Sequence, residues 1–265
     1  MRILGVALLL PLIFGFWYSP AIAMILFALA SAIMCLEFAR IMELRGLGQW
    51  LVIVFGLCLV ALPLTPHAGE AAVMPAIGFD LIVGAIVFCL VYIKEKGMYS
   101  AIFGFVLMMC IGAGAKLLML SAGPVLLLSL ALVIACCDIM AFFVGRSVGG
   151  PKLAPGISPN KTISGAVGGL SAAVVASIVL AMTHSQYGIV ELAGTAGISA
   201  IYVAVIVGIG VGVLAQAGDL MESLLKRKFG VKDSGQIIPG HGGLLDRFDG
   251  YLLTLPAVYL AFMLA

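Results

Sequence analysis

Residues 223–249 read SLLKRKFGVKDSGQIIPGHGGLLDRFD. Lys226, Arg227, Lys228, Lys232, Asp233, Asp246, Arg247 and Asp249 place 8 of the chain's 26 charged side chains (14 basic plus 12 acidic) in these 27 residues. Outward from this stretch the chain is largely apolar. Of its 265 residues 63% are hydrophobic and 10% charged, against about 25% charged in an ordinary soluble domain. Apolar runs long enough to cross a bilayer recur along the whole length. The composition predicts an all-α, polytopic integral membrane protein with no separate soluble domain. A net charge of +2 carries no nucleic-acid signature, because the charges are local rather than global.

Nine helical segments are expected, at 3–18, 20–36, 48–64, 76–93, 98–115, 117–144, 164–184, 197–217 and 250–265. If the amino terminus is cytoplasmic, alternate loops fall inside, and the positive-inside rule tests the count. The inside loops then hold 13 of the 14 basic residues, leaving only Lys116 outside. The first segment is short: its rise is about 24 Å, below the roughly 30 Å hydrocarbon core. It also resembles a signal peptide, with Arg2 before an apolar run and Ala21-Ile22-Ala23 after it. Hydrophobicity continues to Leu36, which favours a retained hairpin broken at Pro20; eight spans remain if the first is interfacial or cleaved. Residues 1–130 form amino-terminal helices on this reading, and 131–265 a catalytic region with cytoplasmic loops 145–163 and 218–249.

The six cysteines all lie inside apolar runs with no CxxC, which argues against disulfides or a zinc site. His67 and His184 sit in outside loops, and there is no HExxH. Gly165-xxx-Gly169 and Gly208-xxx-Gly212 are small-residue spacings that let helices pack closely.

Two inside loops carry the polar information. Asp138 lies in an apolar run near its cytoplasmic end, where an acid is costly enough to need a partner or a role; a helix-end acid reaching water is the simpler alternative. Asp80 lies near an outer end, alone, and reads as interfacial. Asp219, Glu222, Ser223 and Lys226 recur at i, i+3, i+4 and i+7, so they share one face of a helix continuing past residue 217. GQIIPGHGGLLDRFDG follows, in which glycines around His241 allow backbone N–H groups to approach a phosphate. Asp246 and Asp249 stand at i and i+3 just before the last helix. Carboxylates beside Lys226, Arg227 and Lys232 and a glycine-rich turn suit a metal-bound polyphosphate, since Mg²⁺ is commonly shared between carboxylates and substrate phosphates. In ISPNKT, residues 157–162, Ser158, Asn160, Lys161 and Thr162 precede a helix start and suit an anionic headgroup; a plain helix cap is the competing reading.

Residues 223–249 resemble, across their full length, the signature of the phosphatidate cytidylyltransferases (CDP-diglyceride synthetases): S-x-L-K-R, four residues, K-D, then P-G-H-G-G-L-x-D-R-x-D. The blocks CDIMAFFVGRSVGG, PKLAPGISPNKT and AQAGDLMESLLKR look like the same family's pattern in order. The resemblance covers about residues 130–250. It implies the reaction of CTP with phosphatidate to give CDP-diacylglycerol and pyrophosphate, with Mg²⁺ required and a second cation allowed. It associates Asp219 and Asp246 with the metal, with Asp138 and Asp249 in support. Lys226, Arg227 and Lys232 would face the triphosphate, and Ser158, Lys161 and Thr162 the phosphatidate headgroup. Ser223, Asp233, His241, Gly242, Gly243 and Arg247 complete the substrate-binding set. The implied partners are CTP, phosphatidate and membrane lipid, with no nucleic acid; a homodimer is compatible. The implied place is a bacterial inner membrane, with the site on the cytoplasmic face. One departure stands out: family members usually carry an acid two residues after the KT dipeptide, where this chain has Ser164.

Two rivals share the composition. A CTP-dependent lipid-alcohol kinase would release CDP and transfer the γ-phosphate. A secondary transporter would use Asp138 and Asp219 as ion-coupling acids, but transporters place such sites near the midplane at broken helices, and no internal repeat is visible here.

Overall fold

The computed structural model describes residues 19–61, 73–93, 97–120, 123–183, 200–237 and 242–264. Within these, α1 is Pro20–Ile41, α2 Leu47–Ala61, α3 Val73–Ile93, α4 Met98–Met119 and α5 Gly123–Val148. After a hairpin of β1 (Lys152–Ala154) and β2 (Ser158–Thr162) come α6 (Ile163–Thr183), α7 (Ala200–Lys228), the short α8 (Leu245–Phe248) and α9 (Tyr251–Leu264). Five of these helices are long and apolar enough to cross a membrane, and three shorter apolar ones accompany them. Each expected segment from the second onward coincides with a helix. The first, 3–18, lies outside the described residues, as do His67 and His184.

The chain folds as two helix groups sharing one end. In the first, α4 is buried along most of its length and packs against α1, α2, α3 and α9. Phe38 of α1 stacks on Phe103 of α4 with ring centroids 5.7 Å apart, and both are fully buried. In the second group, α5, α6 and α7 lie side by side, brought together by absent side chains. A Cβ on Gly165 would stand 2.6 Å from the Ala141 carbonyl, and one on Gly169 2.7 Å from that of Cys137; one on Gly208 would meet the Val174 Cα at 2.6 Å. Both sequence spacings are therefore helix–helix contacts, where backbone approach replaces the missing hydrophobic drive between helices in lipid.

Three features differ from the sequence expectation. Helix α1 runs on to Ile41, so Glu37 is helical and buried rather than part of a loop. Lys116 lies within α4, not between helices, and forms a buried ion pair with Asp80 of α3. Asp80 is thus not alone; the Lys116 ammonium also sits 5.5 Å from the Tyr259 ring centroid. This pair belongs to the far end of the bundle, since 16 helical residues separate Ser100 from Lys116, about 24 Å of rise. Finally, the all-α expectation omits the β1–β2 hairpin, which pairs antiparallel with Lys152 opposite Thr162 and Ala154 opposite Ser158. Gly149 and Gly150, at φ +66° and +102°, end α5 and turn the chain into β1, a conformation glycine adopts without strain.

Candidate active site

Helix α7 continues nearly three turns past its last apolar stretch, to Lys228, and ends at Gly230 with φ +67°. The expected i, i+3, i+4, i+7 face exists and points into the bundle. Glu222 is fully buried. The Lys226 ammonium sits 3.1 Å from Glu222 Oε2 and 2.6 Å from Asp246 Oδ1, tying the end of α7 to α8. The same end of α7 meets the start of α4: the Tyr99 hydroxyl donates to the Met221 carbonyl at 2.5 Å, and the Lys228 ammonium donates to the Ser100 hydroxyl at 3.3 Å.

Asp246 is held by three donors. Besides Lys226, it accepts from the Gly243 N–H at 2.8 Å and the Ser234 N–H at 2.9 Å, both on Oδ2. Burial works against its ionisation, but the Lys226 ammonium and the Gly243 and Ser234 N–H groups outweigh it and hold the carboxyl below the usual carboxylate range. An ionised carboxylate has about four acceptor sites. The three donors leave one, on Oδ1.

A second acidic centre lies beside the first. Asp138 of α5 and Asp219 of α7 line one cavity of about 670 Å³, within the usual range for ligand sites. Its walls come from α5, the hairpin, α6 and α7, and they carry Arg146, Lys152, Asn160, Lys161, Thr162 and Gln216 as well as Ala141 and the exposed Phe142. Lys161 pairs with Asp219, and Ser223 Oγ donates to Asp219 Oδ1 at 3.3 Å. Gln216 donates to the Ala166 carbonyl at 3.1 Å, bracing α7 on α6. Thr162 Oγ1 accepts the Gly165 N–H at 3.1 Å, so it caps α6 while facing the cavity. Ser164 donates to the Gly149 carbonyl and lies 3.1 Å from Thr162 Oγ1. Ser164 thus closes the hairpin base.

Asp249 stands between the two centres. A Cβ on Gly218 would run into its carbonyl oxygen, so the turn before α9 lies directly on α7. Burial pushes its carboxyl up to about 7, the negative charges of Asp219 and then Asp138 adding to it, against the Gly250 N–H at 2.7 Å and Lys226. Beside it, Glu222 Oε1 is buried and finds no hydrogen-bond donor among the described residues. Asp138, Asp219, Glu222, Asp246 and Asp249 thus bring five carboxyl groups to this end, of which Asp219 is paired with Lys161 and Glu222 and Asp246 with Lys226. Among the described residues no three His, Cys, Asp or Glu side chains converge to enclose an ion. The carboxyl oxygens of this end are of the kind a hard divalent cation takes one or two at a time, completing its shell from water and substrate phosphate, as Mg²⁺ does.

The sequence-predicted residues separate accordingly. Asp138, Lys161, Thr162 and Asp219 share the cavity, with Ser223 bonded to Asp219 from outside its lining. Lys226, Asp246 and Asp249 form the adjoining centre. Ser158 pairs with Ala154 in the hairpin, outside the cavity lining. Arg227 is exposed, and its Nε donates to the Ile157 carbonyl at 3.2 Å, holding the hairpin tip against α7. Lys232 and Asp233 are exposed on the segment after α7, and Arg247 is exposed on α8. The Gly243 N–H is committed to Asp246, and Gly242, at φ +83°, passes close under the same carboxylate. His241 lies outside the described residues. Sequence reasoning passed over Glu222, Arg146, Lys152 and Gln216 as site residues. It also passed over Glu37, which has no motif linking it to this region.

Comparison with known proteins finds relatives that share one name. The chain is 46% identical over 123 residues to the phosphatidate cytidylyltransferase of Brucella abortus biovar 1 (strain 9-941), covering 46% of this chain and 41% of that protein. It is 47% identical over 133 residues to the enzyme of that name from Bacillus subtilis (strain 168), covering 50% and 45%. With that of Staphylococcus saprophyticus (strain ATCC 15305) the identity is 44% over 125 residues, covering 47% and 44%. The chain therefore spans less than half the length of these curated relatives. The profile of the Cytidylyltransferase family matches residues 1–265. That match, which runs from first residue to last, makes this chain a member of the cytidylyltransferase family.

Proposed function

We propose that the chain transfers the cytidylyl group of CTP to phosphatidate, giving CDP-diacylglycerol and pyrophosphate for phospholipid synthesis, on the cytoplasmic face of a bacterial inner membrane. The observation that carries this reading is the cavity at the end of α5 and α7. Two acids and three basic side chains, Arg146, Lys152 and Lys161, line it beside the exposed ring of Phe142. Such a place suits a soluble polyanion meeting a phosphate anchored in lipid. The name carried by the relatives supports the same substrates.

In the proposed reaction a phosphatidate oxygen attacks the α-phosphorus of CTP; the new P–O bond forms as the bond to the β-phosphate oxygen breaks, and pyrophosphate leaves. A phosphate monoester has a second pKa of about 6, so the nucleophile is largely ionised at neutral pH and requires no strong base from the protein. No covalent enzyme intermediate is needed. The remaining task is electrostatic: holding two polyanions together and stabilising the leaving group. Lys161 and Thr162 bind the phosphatidate headgroup, and Lys226 with Arg227 and Lys232 offsets the triphosphate charge. Asp219 and Asp246 are the residues that would hold Mg²⁺, with Asp138 and Asp249 in support, and a second cation would draw on the same carboxylates. When bound, the ion supplies Lewis-acid stabilisation of the phosphate oxygens.

The test uses purified protein with phosphatidate, Mg²⁺ and CTP labelled at either the α- or the γ-phosphate. The α-label is expected in the lipid and the γ-label in pyrophosphate. Appearance of γ-label in lipid would establish phosphoryl transfer instead and overturn the proposal.

A further inference from the structure

Glu37 lies within α1, some two hundred residues from the charged stretch, yet it is fully buried and faces that stretch. Its Oε1 accepts the Leu244 N–H at 2.9 Å; its Oε2 accepts the Leu245 N–H at 2.7 Å and the Ser234 hydroxyl at 3.2 Å. A buried carboxylate in an apolar helix is tolerated when donors surround it, and all three donors come from the two described arms of one loop, 231–237 and 242–245. The loop is shaped around the carboxylate. A Cβ on Gly235 would stand 2.5 Å from Glu37 Oε1 and one on Gly243 2.6 Å from it, so a side chain at either position would displace the carboxylate. Ser234, itself buried, connects the two acids of this end. Its hydroxyl donates to Glu37 and accepts the Asp246 N–H at 3.3 Å, and its N–H donates to Asp246 Oδ2 at 2.9 Å.

We infer that Glu37 is a positioning residue for the proposed transfer: through Ser234, Leu244 and Leu245 it holds both arms of the loop so that Asp246 meets Lys226 and the end of α7. Its two oxygens are committed to these loop donors. The inference rests on the function proposed above only for its effect on turnover; its effect on the loop is independent of that reading.

The decisive experiment is hydrogen exchange by mass spectrometry on the purified protein and on Glu37→Gln, read separately for peptides from 231–237, 242–249 and the apolar parts of α1 and α4. Glutamine keeps the shape but replaces one acceptor oxygen with an NH₂ group that faces a donor. The expected result is at least about tenfold faster exchange in both loop arms, with α1 and α4 unchanged. Pyrophosphate release should show kcat falling at least about tenfold, with the KM for phosphatidate nearly constant. Ser234→Ala should reproduce the loop effect in milder form, and the double variant should exchange no faster than Glu37→Gln alone, because both act through one network. Unchanged loop exchange in Glu37→Gln, or exchange that rises equally throughout the bundle, overturns the inference. Should Glu37→Gln fail to fold, Ser234→Ala decides on the same criterion. Wild-type protein that releases no pyrophosphate would remove the proposed function, while the exchange data would still judge Glu37.

Discussion

Asp246→Asn replaces one oxygen with an NH₂ group and removes one charge, and the structure sets what that costs. The carboxylate accepts from Lys226 at 2.6 Å, the Gly243 N–H at 2.8 Å and the Ser234 N–H at 2.9 Å. An amide cannot serve all three, because its NH₂ must face either the ammonium or the two backbone donors. Removing one member of a buried ion pair typically costs about 3–5 kcal/mol. Lys226 keeps Glu222 at 3.1 Å, so its charge is not stranded and the figure falls. We expect a loss of about 2–4 kcal/mol, read as a lower melting temperature in detergent. Pyrophosphate release should fall by at least about a hundredfold, the scale of losing one electrostatic stabiliser. The pH dependence follows from the folded carboxyl lying below its ordinary value. Stability of this origin is fully present above the unfolded pKa of about 3.9 and is lost as pH falls through the folded value. The gap between wild type and variant should therefore stay flat from about pH 7 to about pH 5 and close only below about pH 4. A variant that melts with the wild type at neutral pH, or a gap that closes between pH 7 and 5, would refute the reasoning.

Three further outcomes follow from the same geometry. Asp249 titrates near 7 in the fold, so below about pH 4 it costs nothing, and the stability its protonated form contributes is lost as pH rises through 7. Asp249→Asn should then melt higher than wild type at pH 8 in chelator, by at most about 4 kcal/mol; the difference should vanish at low pH and shrink when Mg²⁺ is added. Lys116→Met should destabilise by about 3–5 kcal/mol by stranding Asp80, and adding Asp80→Leu should restore most of the loss; equal unfolding midpoints for single and double variants would disprove the pairing. Lys161→Ala, which removes the partner of Asp219 in the cavity, should raise the KM for phosphatidate more than that for CTP in steady-state assays, and the reverse order would reassign the hairpin to the nucleotide.

Much of this architecture was legible locally. Long apolar runs mark α1 to α7 and α9, and the spacing of Asp219, Glu222, Ser223 and Lys226 marks the polar extension of α7, because both signals repeat within a few helical turns. The glycine spacings on α6 and α7 likewise declared their packing. What escaped was whatever depended on distant partners. Lys116 read as a loop charge because nothing near it is acidic; its partner lies 36 residues earlier, on a neighbouring helix. Glu37 read as a loop residue for the same reason, since its three donors come from 197 to 208 residues later. The hairpin escaped differently: its strands are three and five residues long, with Pro155 and Gly156 in the turn between them and Pro159 inside the second, leaving no alternation to detect. At the site, the acids and lysines were visible as residue types. Their division into a cavity around Asp138 and Asp219 and a hydrogen-bonded centre around Asp246 depended on how α5, α7 and the loop before α8 pack.

The proposed metal site draws on acids from α5, α7 and the α8 turn and on the phosphates of a nucleotide triphosphate. Electron paramagnetic resonance of Mn²⁺ titrated into purified protein tests it without any turnover. CTP is expected to tighten Mn²⁺ binding, and Asp219→Asn and Asp246→Asn are each expected to abolish the tightening in folded protein. Undiminished Mn²⁺ binding in both variants, or binding indifferent to CTP, would contradict it.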